Sequence, residues 1–124
     1  MNDAAIQAEQ ASCAAALACS RDEIHAQGLR GTDFVLQDCG QVWDLALGMD
    51  TPSPILLGSL RPDLVVEWWR WDARWWMYAH PAGLRAHAAV VKAESNRRAA
   101  IQGHVDTINE IREQGTHWRE AYKT

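Results

Sequence analysis

From Ala82 to about Tyr122 the chain contains no proline and holds helical spacing for most of its length. Pro81 suits the first helical position and closes off whatever precedes it, so the C-terminal third reads as one long helix. Its first part turns Leu84, Ala88 and Val91 inward, and the polar run 92–98 projects into water. From residue 101 a heptad begins, with Ile101, Ile108, Gly115 and Tyr122 at a positions and His104, Ile111 and Trp118 at d positions. Gly115 weakens a coiled-coil reading, and an ordinary amphipathic bundle helix, which gives the same pattern, is preferred.

A chain that commits so much of its length to one helix needs other helices to cover it. Residues 62–80 supply one: Pro62 and Asp63 suit its first turn, and Asp63, Glu67, Arg70 and Arg74 form a narrow polar line. Leu64, Trp68, Trp71 and Trp75 make one apolar stripe; Val65, Trp69 and Trp76 make a second. The seven tryptophans, against one phenylalanine and two tyrosines, are the main compositional bias. A neutral polar line does not suit a membrane-surface helix. A domain this small has difficulty burying all the indoles, so one stripe is expected in the core and the other, Trp69 with Trp76, at an interface. Asp72 falls between Trp68 and Trp76, where a carboxylate must be paired in the core or serve as a polar contact to a partner.

Residues 3–27 read as a helix with Ile6, Cys13, Leu17 and Ile24 within about 20° of one line at 100° per residue. Asp3 is its expected N-cap and Gly28 its C-terminal stop; Cys13 falls on the core stripe and Cys19 on the far side. Residues 28–31 are a break. Residues 32–49 fit a helix carrying Val35, Cys39, Val42, Ala46 and Met49 on one face, capped by Thr32 or Asp33. Gly40 counts against it, and a β-hairpin over 34–47 is the alternative. Asp50–Pro54 is a loop, with Ile55–Leu57 tucked beneath as an apolar plug. The expected fold is therefore all-α: a single domain, 1–124, built as a compact bundle of four to five helices with a long C-terminal helix.

Charge separates along the chain. Residues 1–60 hold eight acids, among them Asp33, Asp38 and Asp44, against two bases, although the net charge of the whole is only -4. An acidic half argues against a direct grip on nucleic acid and fits a protein partner with a basic surface. The three cysteines are odd in number and make no CxxC, and the first residues carry neither a basic nor an apolar leader, so free thiols in the cytoplasm are expected.

Catalytic signals are missing. His25, His80, His87, His104 and His117 make no HxxxH or HExxH pair, so no metal and no other cofactor is expected. No GxSxG, SxxK or phosphate loop occurs, and no enzyme is expected. The expected function is stoichiometric binding of a protein by a small regulator or inhibitor, through Asp33, Asp38, Asp44, Trp69, Asp72 and Trp76. By size and acidity it suits a phage or mobile-element anti-defence protein, anti-CRISPR-like, that acts on a nucleic-acid-handling complex. The alternative is a phage structural or assembly component, or an obligate helical oligomer joined through 101–122.

Overall fold

In the computed structural model, residues 3–64 and 80–122 are described, with side chains as far as Gly115. All regular structure among them is helical. The chain divides into two compact units, Met1–Glu94 and Ser95–Thr124.

In the first unit, α1 spans Asp3–Ala16. Small side chains line it: Ala5, Ala8, Ala11, Ser12, Cys13, Ala14, Ala15 and Ala16 are all buried, so neighbouring backbone comes close on several sides. Asp3 stands in the first helical turn rather than at the cap. The helix also ends eleven residues earlier than the apolar spacing predicts. Ser20-Arg-Asp-Glu23 forms a capping box there: the Ser20 hydroxyl accepts from the Glu23 N–H at 3.3 Å, and the Glu23 carboxylate accepts from the Ser20 N–H at 3.0 Å. That box starts α2, Arg21–Ala26. The break turns Cys19 inward, where a continuous helix would have sent it to the far side. Gly28, at φ 67°, stops α2 in the left-handed conformation, and Lys92 Nζ donates to its carbonyl at 3.2 Å.

A 3-10 turn at Gly31–Asp33 leads to α3, Gln37–Gly48. The hairpin alternative for 34–47 is overturned. Neither Thr32 nor Asp33 caps α3: the cap residue is Leu36, whose own side chain cannot accept, and the acceptor comes from Glu9 of α1. Cys39, Val42, Ala46 and Met49 are buried as the spacing predicts, but Val35 faces solvent and Phe34 takes its place. Phe34 packs on Trp43 with ring centroids 5.4 Å apart, and the Trp43 indole N–H donates to the Leu29 carbonyl at 3.0 Å.

The expected loop at 50–54 stops at Ser53. Its hydroxyl accepts from the N–H groups of Ile55 and Leu56, and Pro54 opens α4, Pro54–Leu60, from the first position, where a missing N–H costs nothing. The expected plug is one residue deep: Leu57 is buried, whereas Ile55 is 84 % exposed. Arg61 then holds Asp63 through two bonds and the Gln41 side chain through a third. The tryptophan-rich segment 65–79 lies outside the described residues, and with it Trp69, Asp72 and Trp76.

The last helix, α5, spans Pro81–Tyr122. His80 Nδ1 accepts from the Ala82 N–H at 3.1 Å and so caps it. Leu84, Ala88 and Val91 enter the core of the first unit as expected.

Candidate interaction surface

The acidic candidates are held by the turn they surround. Asp33 accepts from the Arg30 N–H at 2.8 Å, and Asp44 accepts from the Gly31 N–H at 2.7 Å. Each thus commits one oxygen to shaping the 31–33 turn. Asp38, in the first turn of α3, is half-buried, and its proximity helps to hold the proton on the Arg61 guanidinium. Asp22, Asp44 and Asp50 remain exposed, so the acidity of this unit is displayed on its surface. Arg61 and Asp63 form a surface ion pair: the hydrogen bond from the guanidinium holds the Asp63 carboxyl below its usual range.

Glu9 is the carboxylate that the sequence reading missed. It is 1 % exposed and accepts from the Val35 N–H at 2.9 Å and the Leu36 N–H at 2.8 Å. Both donors sit at the start of α3, where unbonded N–H groups and the helix dipole favour a negative charge. The available signal was local: Ala5, Ser12, Cys13 and Ala16 flank Glu9 at helical spacing and make room for backbone to approach it. Its role is structural, joining α1 to α3.

The thiols lie inside the first unit. Cys13 Sγ donates to the Cys39 carbonyl at 3.2 Å, and all three cysteines are free and buried. Burial pushes the Cys39 thiol far above its usual range, reinforced by Cys13, Glu9 and Asp38. Burial and the neighbouring Glu23 raise Cys19 to about 11. A nucleophilic cysteine needs the opposite setting. Among the described residues, no group of three His, Cys, Asp or Glu side chains could hold a metal ion. No helix among them is long and apolar enough to cross a membrane.

The feature that stands apart is the outer part of α5. The preferred reading, a bundle helix, requires its apolar face to be covered, yet every residue from Ile101 to Gly115 is exposed. Ile101 is 51 % exposed, Val105 42 %, Ile108 37 % and Ile111 62 %. At four-, three- and three-residue steps these four aliphatic side chains follow one side of the helix. Asp106, Glu110 and Glu113 fall at the outward positions of the same heptads. Single exposed aliphatic residues are ordinary; these four are set apart by their alignment.

The chain matches no family model, and neither a curated protein nor a solved structure is similar to it.

Proposed function

We propose that this chain is a non-catalytic helical protein that acts by binding other protein, a small regulator or inhibitor rather than an enzyme. One observation carries the reading: the aligned, exposed row Ile101, Val105, Ile108 and Ile111 on α5. An isolated helix is marginal in water, and most helical stability comes from packing an apolar face. A row of β-branched aliphatic residues is therefore better accounted for by a protein surface that covers it than by solvent.

The acidic first unit supports a basic partner, since eight acids face two bases over residues 1–60 and several stay exposed. A cytoplasmic nucleic-acid-handling complex offers such a surface, and a phage-borne anti-defence protein is the kind of molecule that would block one. The buried free thiols suit a reducing compartment.

The test is affinity capture from a bacterial lysate with the full chain and with its Ile101→Asp/Ile108→Asp variant, quantified by mass spectrometry. Capture of the same partner should fall at least about tenfold in the variant, both where the row touches that partner and where it holds two copies together for bivalent binding, while its circular dichroism stays unchanged. Equal capture by both proteins would refute the reading.

A further inference from the structure

Building on that reading, we propose that the occupant of the α5 row is a second copy of this chain, paired in parallel and in register over residues 101–115. Position, charge and residue type point the same way. Ile101 and Ile108 take successive a positions and Ile111 a d position, the 3.5-residue repeat that keeps two helices of equal pitch in contact. Any copy of the chain brings that same repeat.

The edges of the row select the direction. Ala100, Thr107 and Gln114 occupy the g positions, Val105 and Arg112 the e positions. In a parallel pair each g residue faces the e residue five positions on in the other copy, so Ala100 meets Val105 and Thr107 meets Arg112. No like charges are opposed. An antiparallel pair that aligns Ile101 with Ile111 places Arg98 against Arg112, which costs energy. The acids Asp106, Glu110 and Glu113 lie away from the seam either way.

His104 takes the one polar layer, at d between Ile101 and Ile108. In register it meets its counterpart, while a shift by one heptad sets it against Ile111. A single polar layer of this kind fixes register at some cost in affinity.

Sedimentation equilibrium of the full chain across micromolar to millimolar concentration tests this. The mass should rise from 13.9 kDa toward twice that value. Ile108→Asp should weaken the association at least tenfold, and Ile111→Asp, at the most exposed position of the row, should do the same. Ile101→Cys, treated with oxidised glutathione, should form a disulfide-linked dimer: two thiols lose two electrons and two protons, and one glutathione disulfide becomes two glutathiones. A chain that stays at 13.9 kDa throughout would overturn the proposal. The binding function would then stand or fall on the capture experiment alone. Association without the Ile101→Cys cross-link would overturn the parallel arrangement.

Discussion

Gly31 and Gly40 pass so closely that neither has room for a side chain. A Cβ on Gly40 would collide with the Gly31 carbonyl oxygen, and one on Gly31 would meet the Asp44 carboxylate and, at 2.6 Å, the Gly40 carbonyl. This contact seats the 3-10 turn on α3, and the Asp44 bond to the Gly31 N–H holds it there.

Alanine at Gly40 should therefore destabilise the protein by about 1–3 kcal/mol, the cost of overpacking, although alanine ordinarily improves a helix interior. Gly103, on the exposed part of α5, has nothing within 4 Å of an added Cβ, and its replacement should raise helix stability by roughly 0.5–1 kcal/mol. Urea denaturation of Gly40→Ala and circular dichroism melts of Gly103→Ala measure the two effects. Stabilisation by Gly40→Ala would contradict the close contact.

Removing the Glu9 carboxylate should leave the Val35 and Leu36 N–H groups without their acceptor. Glu9→Ala is expected to cost about 2–4 kcal/mol in urea denaturation, the range for losing charged hydrogen bonds in a buried setting. Hydrogen exchange at the Val35 and Leu36 amides should accelerate in the variant. Unchanged exchange there would show that Glu9 does not hold α3.

Cys19 gives a pH dependence. Its thiol is raised from 9.0 to about 11 in the folded chain, so the folded state holds this proton more tightly than the unfolded state does. Its contribution to stability is fully present below pH 9 and is lost as the pH rises toward 11. Native alkylation by iodoacetamide at pH 8 should be slow at Cys19 and should speed up on unfolding. Fast alkylation of the folded chain at that pH would contradict the buried position.

Helix content and the inward face of early α5 were legible because they depend on local spacing: Leu84, Ala88 and Val91 recur at four and three residues, and all three are buried. The α1–α2 break was legible too, since Ser20 and Glu23 stand at capping-box spacing, but the apolar stripe that crosses the break outweighed that short motif. The Gly31–Gly40 contact was not legible, and of the Glu9 clamp only the small residues around Glu9 were, because each contact joins residues distant in sequence and neither side alone shows its partner. Gly40 read as a fault in a helix is in fact the point where the turn passes. For the candidate surface, the heptad of α5 was written in the sequence, but whether it was covered was not: burial depends on the whole fold.

That exposed row is most directly tested by hydrogen–deuterium exchange of the full chain at two concentrations about a hundredfold apart. Amides across 101–111 should gain protection at the higher concentration, while those of α1 and α3 stay unchanged. Strong protection across 101–111 at both concentrations in a chain that sediments as a monomer would mean that the row is already covered within one chain, and would contradict the account.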